Sequence, residues 1–260
     1  MYLAGKKALI TGSRRGIGRG IAVALAKEGA DIGINDVEED DAAEDTLELV
    51  RREGRKVSWH LADISKASEV NRMIDEFLEQ HNSLDILVNN GVFSIRKNFL
   101  EITEQDWDTR VGVNLKGYFL CSQRAAQEMV NRQQGGSIVN ISSVHAFRAW
   151  PDDMVYGMCK AALLRMTRSM ALDLSGHNIN CNSVAPGYID SRVLSSEQEH
   201  MRGGEGYQFS KDWIPARRAG VPDDIANVVM FLCSTLGEYI NGECITVDGG
   251  LMTGGTPPID

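Results

Sequence analysis

The sequence predicts an α/β fold: a doubly wound parallel sheet of about seven strands with helices on both faces. Three observations lead there. Short apolar runs alternate with longer helical patterns from end to end. The runs lack the strict in–out alternation of a half-wet sheet. No Pro/Gly/Ser-rich linker and no internal repeat interrupts the order.

The elements follow one another in register with that scheme. The strands are Lys7–Thr11, Asp31–Asp36, Lys56–Leu61, Asp85–Asn89, Ser137–Ser142, Ile179–Val184 and Glu243–Val247, several of them bounded by Gly, Asn or Asp. Between them lie helical stretches at Ile17–Glu28, Asp41–Glu53, Lys66–Gln80, Glu104–Asn131, Met154–Leu174 and Pro222–Ser234. Strand–helix alternation of this kind requires right-handed crossovers, hence parallel strands. The stretch 190–218 fits neither period; with Gly203, Gly204, Gly206 and Pro215 it reads as a substrate lid.

Composition narrows the function classes. At 260 residues and 43% apolar content the chain suits one domain, 1–260, and is neither disordered nor fibrous. No apolar run reaches the roughly 18 residues of a membrane span. A formal charge of −9, without a Lys/Arg block, argues against a nucleic-acid partner. The five cysteines (Cys121, Cys159, Cys181, Cys233, Cys244) are scattered, with no C-x-x-C, so reduced thiols are expected and no metal site. The N-terminus lacks a signal-peptide pattern, and the expected setting is cytoplasmic.

The first strand opens into Thr11-Gly12-Ser13-Arg14-Arg15-Gly16-Ile17-Gly18. Gly12 permits a tight turn, while Gly16 and Gly18 remove Cβ atoms where backbone must approach a pyrophosphate. The first-turn N–H groups of the next helix then face the anion, as in a Rossmann-type fold. The second strand ends at Asp36, 24 residues after Gly12. An acid there accepts from both adenosine ribose hydroxyls and repels a 2′-phosphate, by on the order of 4 kcal/mol for charges about 4 Å apart at an effective dielectric of 20. NAD is the preferred cofactor on this ground. Arg14 and Arg15 argue for NADP, because a guanidinium can clamp that phosphate.

Tyr156 and Lys160 stand at i and i+4, on one face of a helix. An ammonium about 4 Å from the phenol is expected to lower its pKa by on the order of two to three units, into the range for proton exchange with an alcohol. Ser143 closes the strand that precedes them, at the carboxyl end where ligands sit, and can orient the same substrate oxygen. Asn114 lies inside a long amphipathic helix, where Asn has poor propensity; a bound water linking it to Lys160 would satisfy it.

With these motifs in place, the chain resembles the short-chain dehydrogenase/reductase family of about 250 residues, nearly end to end. The matching positions are Thr11–Gly18, Asp63-Ile64, Leu87-Val88-Asn89-Asn90, Asn114, Ser143, Tyr156, Lys160, Pro186-Gly187 and Val247-Asp248-Gly249-Gly250. The resemblance implies hydride transfer between nicotinamide and a carbon bearing oxygen. Tyr156 would exchange the proton, Ser143 polarise the substrate, and Lys160 tune the phenol and hold the nicotinamide ribose. Asn114 would complete the relay. Asp63, with Ile64, would meet adenine, Asn90 and Gly91 the ribose, and Pro186, Gly187 and Ile189 the carboxamide; Ser13, Arg15 and Ile17 complete the cofactor loop. The family usually reads Asn-Asn-Ala-Gly where this chain has Asn89-Asn90-Gly91-Val92. A branched residue at the glycine position is expected to crowd the cofactor's approach.

The loop Val144-His145-Ala146-Phe147-Arg148-Ala149-Trp150-Pro151 is similar to that of sugar (aldose) dehydrogenases in the family. Arg96, His145, Arg148 and Trp150 are therefore candidate substrate contacts, with Lys97 and Trp213 beside them, for a sugar or polyol carrying an acidic group such as a carboxylate or sulfonate. The alternative is an NADPH-dependent 3-oxoacyl-thioester (carrier protein) reductase. A non-catalytic sensor on the same scaffold is disfavoured because both Tyr156 and Lys160 are present. The corresponding helices of the family pack against a second subunit, so a homotetramer or homodimer is expected.

Overall fold

The computed structural model describes residues 1–191 and 212–254. Seven strands form one sheet: β1 (Lys7–Ile10), β2 (Asp31–Asp36), β3 (Val57–Leu61), β4 (Ile86–Asn89), β5 (Gly136–Ile141), β6 (Ile179–Pro186) and β7 (Cys244–Val247). Their order is β3-β2-β1-β4-β5-β6-β7, and every pair is parallel. The predicted doubly wound sheet is thus the observed one, with strand ends within two residues of expectation. The chain reverses direction across the sheet between β1 and β4, so the loops after these two strands diverge and leave a crevice.

The helices are α1 (Gly16–Lys27), α2 (Asp41–Arg52), α3 (Ala67–His81), α4 (Glu104–Val111), α5 (Tyr118–Arg132), α6 (Met154–Leu174) and α7 (Pro222–Cys233). They bury two cores, one per face of the sheet. On one face Ile21 and Leu25 of α1 meet Ile225 and Val229 of α7 over Ile10, Ile32 and Val88. Gly20 lets these helices touch, because a Cβ there would lie 2.6 Å from Cβ of Pro222. On the other face Phe77, Tyr118, Met129 and Leu163 cover Leu9, Leu87 and Ile138.

The predicted helix Glu104–Asn131 is corrected. It runs as α4, then a π-helical turn at Gly112–Gly117, then α5. Gly112 and Gly117, the ends of the π-turn, keep α-helical torsions, so helical patterning continues on both sides of it. The stretch 190–218 was expected to form a lid, and 192–211 lies outside the described residues. Its flanks meet: the amide of Asp190 donates to Gly220 O at 2.8 Å.

Two buried features stand apart from the site. Ser58 Oγ lies 2.7 Å from Nε2 of His60 and 2.8 Å from Nε2 of His81, with the His81 ring stacked on Phe77. Arg110 of α4 is 1% exposed, and none of its guanidinium nitrogens has a hydrogen-bond partner among the described residues.

Candidate active site

The crevice begins at the glycine loop. Gly12 and Gly16 both adopt left-handed torsions, φ 60° and 61°, which a side chain would strain. Gly18 admits no Cβ at all: it would fall 2.4 Å from Gly12 O and 2.7 Å from Nδ2 of Asn90. That Asn90 amide donates to the carbonyls of Thr11 and Gly12 at 3.1 and 2.8 Å, and its backbone N–H donates to Thr11 Oγ1 at 2.9 Å. The loops after β1 and β4 are therefore bolted together. No side chain caps α1, whereas Asp40 caps α2 and Thr103 caps α4. Uncapped first-turn amides over a glycine cradle are the donor set a pyrophosphate requires, so the residues present fit a dinucleotide.

Not every loop residue faces outward. Ser13 is fully buried; its hydroxyl donates to Ile10 O at 2.7 Å and its amide to Asn35 O at 2.9 Å. Both of its donors are thus spent inside the fold, which leaves the cradle to its neighbours. A cleft of about 860 Å³ is lined by Gly12, Arg15, Gly16, Ile17, Asp36, Asp63, Ile64, Asn90, Gly91 and Val92. The sequence placed each of them there. Val92 is 55% exposed on this wall, and a Cβ on Gly91 would approach Ile64 Cδ1 to 3.0 Å.

Arg14 departs from the expectation that it would favour a 2′-phosphate. Its side chain is nearly buried among carboxylates: Nε lies 3.8 Å from Asp36, Nη2 2.8 Å from Glu38, and Nη1 is paired with Asp40. Three acids spend the charge that was to clamp an anion. Asp63 accepts from the amide and hydroxyl of Ser65 at 3.0 and 2.7 Å. Burial pushes its pKa up, but the Ser65 and Lys66 contacts outweigh that and hold the carboxyl below its ordinary range.

At the carboxyl end of β5, Ser143 caps a short 3-10 turn, Val144–Ala146, and is 7% exposed. Its side chain faces that of Tyr156 in the first turn of α6 and favours the ionised phenol against the effect of burial. Lys160 is one turn further and 2% exposed; its Nζ donates to Ile141 O at 2.7 Å and to the Tyr118 hydroxyl at 3.1 Å. Burial pushes the Lys160 pKa down to about 7.

The expected lowering of the Tyr156 pKa by Lys160 is corrected here. The ammonium sits 5.5 Å from the Tyr156 ring centroid, drawn to Tyr118 and Ile141. Burial raises the Tyr156 pKa; the neighbouring Ser143 hydroxyl opposes that rise, and the charge of Asp153 adds to it. Asn114, in the π-turn and fully buried, donates from Nδ2 to Phe93 O at 2.8 Å and accepts from Phe93 N at 3.0 Å. Its side chain anchors the loop after β4.

Of the substrate candidates, His145 stands closest to the chemistry. Its ring meets that of Tyr156 edge-on at 5.4 Å, stacks on Trp150 at 4.3 Å, and is hydrogen-bonded through Nδ1 to Asp153. Trp150 also takes the guanidinium of Arg148 at 5.5 Å, so its ring is engaged by the chain itself. Arg96 is exposed, while Lys97 pairs with Asp106 and its amide donates to Asp152 O. Pro186 ends β6; Gly187 packs on Asp248, where a Cβ would lie 2.6 Å from its Cβ, and Ile189 bridges to Gly220.

Tyr118, Asp153 and the acids Glu38 and Asp40 beside Arg14 were not foreseen as parts of the site. Asp153 carried a signal, an acid three residues before Tyr156; Tyr118 carried none beyond its i+4 distance from Asn114. Among the described residues there is no cluster of metal-ligating side chains and no helix long and apolar enough to cross a membrane.

Comparison with known proteins gives consistent results. Residues 12–252 match the family model described as enoyl-(acyl carrier protein) reductase. A 3-oxoacyl-(acyl-carrier-protein) reductase of Staphylococcus epidermidis is 36% identical over 246 residues, 95% of this chain and 98% of that protein. A 2-dehydro-3-deoxy-D-gluconate 5-dehydrogenase of Escherichia coli is 37% identical over 252 residues, 96% of each. Among solved structures, an acetoin dehydrogenase of Salmonella typhimurium superposes with a TM-score of 0.89 at 33% identity, covering 98% of both chains. A short-chain alcohol dehydrogenase described from Sinorhizobium meliloti gives 0.88 at 35% identity, covering 96% of this chain and 98% of that one.

Proposed function

Because the chain belongs to the short-chain dehydrogenase/reductase family, we propose that it oxidises a secondary hydroxyl of a sugar, polyol or related hydroxylated compound with NAD. The observation that carries this reading is the juxtaposition of Ser143, just beyond β5, with Tyr156 in the first turn of α6 and the buried Lys160 one turn further on. Such a pair offers a donor and a proton acceptor to one substrate oxygen.

A bound nicotinamide supplies the carbon that takes up hydride. Every other task falls to the chain. Ser143 orients the carbinol oxygen, and Tyr156, in its ionised form, takes its proton as the carbon–oxygen double bond forms. Lys160 commits two of its three N–H donors to Ile141 and Tyr118. Asn114 fixes Phe93, and with it the wall after β4. Asp36 accepts from the adenosine ribose, and the carboxylates around Arg14 make the neighbourhood unfavourable to a 2′-phosphate.

The relatives that act on 2-dehydro-3-deoxy-D-gluconate and acetoin support a hydroxylated substrate. A second reading is reduction of a 3-oxoacyl thioester. Its support is the 36–38% identity to such reductases and the exposed apolar side chains Phe99 and Leu100 on the segment after β4. We read the face of α5 and α6 that exposes Phe119 and Leu172 as the seat of a second copy, in a homodimer or homotetramer. The five free cysteines suit a cytoplasmic setting. The test is turnover of alcohols, sugars, polyols and 3-oxoacyl thioesters with NAD(H) and NADP(H), followed by nicotinamide fluorescence. Oxidation of hydroxylated substrates with NAD is expected; turnover of thioesters alone, with NADPH, would overturn the first reading in favour of the second.

A further inference from the structure

We propose that His145 and Asp153 form a recognition dyad that reads a hydroxyl on the substrate carbon adjacent to the one being oxidised. The inference rests on the dehydrogenase reading above and narrows its substrate class.

The position comes first. His145 lies two residues beyond Ser143, and its amide donates to Ser143 Oγ at 3.2 Å. Its ring stands edge-on to that of Tyr156 with 5.4 Å between centroids. A substrate oxygen held by Ser143 and Tyr156 therefore places its neighbouring carbon beside the imidazole.

The orientation follows from two restraints. Nδ1 is hydrogen-bonded to the carboxylate of Asp153, which is 8% exposed, and the ring lies at 14° to Trp150. Asp153 is in turn tied to the helix that carries Tyr156, its carbonyl accepting from Gly157 N at 2.9 Å. Gly157 is fitted to this arrangement: a Cβ there would sit 3.0 Å from His145 O.

The chemistry follows from the orientation. A carboxylate only accepts, so the proton of the neutral imidazole resides on Nδ1 and Nε2 keeps a lone pair. Among the described residues, none is bonded to Nε2. The wall beside the reacting oxygen thus presents an acceptor, and an acceptor selects an O–H. A vicinal diol, polyol or α-hydroxy ketone brings one to that position. A 3-oxoacyl thioester brings only carbonyl oxygens, whose lone pairs would oppose that of Nε2. His145 would touch substrate; Asp153 is the positioning residue that fixes its tautomer.

Butane-2,3-diol and butan-2-ol differ by the one hydroxyl at issue, and their kcat/KM values with NAD form the test. The native enzyme is expected to favour the diol by about tenfold, the worth of one good hydrogen bond. His145→Phe keeps an aromatic ring on Trp150 but removes the acceptor; the ratio should fall to within about twofold of unity, the loss residing in KM for the diol. His145→Gln carries an acceptor oxygen and should recover part of the ratio, and Asp153→Asn should fall between the native enzyme and His145→Phe. NADH titration of each variant reports that the nucleotide site is folded.

An unchanged ratio in His145→Phe, or a His145→Gln ratio no better than that of Phe, would overturn the dyad. So would a native enzyme indifferent to the second hydroxyl. A native enzyme that binds NADH yet oxidises no hydroxylated compound would overturn the dehydrogenase reading itself, an outcome distinct from the others.

Discussion

The ammonium of Lys160 lies 3.1 Å from the Tyr118 hydroxyl, and Tyr118 is fully buried 42 residues away in the chain. The phenol cannot ionise there, since burial raises its pKa well above the ordinary value. It therefore serves the lysine as a neutral acceptor.

Removing that acceptor destabilises the charged form of Lys160, already lowered to about 7 by burial. Tyr118→Phe should shift the alkaline limb of the kcat/KM profile to lower pH, because Lys160 then surrenders its proton sooner. Lys160→Met should lower kcat by about 10²-fold or more with nucleotide still bound. Steady-state rates from pH 5 to 10 and a fluorescence titration check both; an unmoved limb in Tyr118→Phe would count against the acceptor role.

Cofactor choice is the second prediction. With Arg14 enclosed by Asp36, Glu38 and Asp40, NAD should exceed NADP in kcat/KM, and Asp36→Asn should improve NADP by about tenfold. A native enzyme with a tenfold preference for NADP would contradict this.

His60 and His81 make the third. Burial holds each imidazole neutral, with pKa lowered to about 4. Their depressed folded-state values mean the unfolded chain binds protons first as pH falls through 6.5. Stability is then full above 6.5 and declines as pH drops toward 4, by on the order of 2–3 kcal/mol per histidine. Urea denaturation at pH 7 and pH 5 should show the loss, and His81→Phe should reduce it by about half.

Arg110 supplies the fourth. A guanidinium at 1% exposure without an acceptor among the described residues carries its desolvation cost uncompensated. Arg110→Met should raise stability by about 1 kcal/mol or more, a rise in Tm of about 2–4 °C per kcal/mol. Scanning calorimetry decides it, and a lower Tm would mean that the guanidinium does find an acceptor.

The sheet was legible because each strand is a short apolar run closed by a polar or glycine residue, a local signal. The glycine loop, Asp36, Ser143, Tyr156 and Lys160 were legible for a similar reason: their spacing along the chain is their geometry. What escaped was long-range. Tyr118 meets Lys160 across two helices, and Asp40 reaches Arg14 from the cap of α2, pairings that no periodicity encodes. The π-turn escaped because it occupies a single turn between two amphipathic α-helices, and the apolar pattern on either side reads as helical. The effect of Lys160 on Tyr156 was misjudged because i, i+4 spacing fixes a shared face but not where a flexible amine finds its acceptors.

The close junction of Gly12, Gly18 and Asn90 has a consequence for recognition. Since the turn is locked to β4 by the folded chain itself, the phosphate seat is shaped before any nucleotide arrives, and little ordering entropy is left to lose at encounter. Nucleotide affinity in this enzyme is a matter of preorganisation, and side chains that loosen the junction would weaken it without touching the ligand.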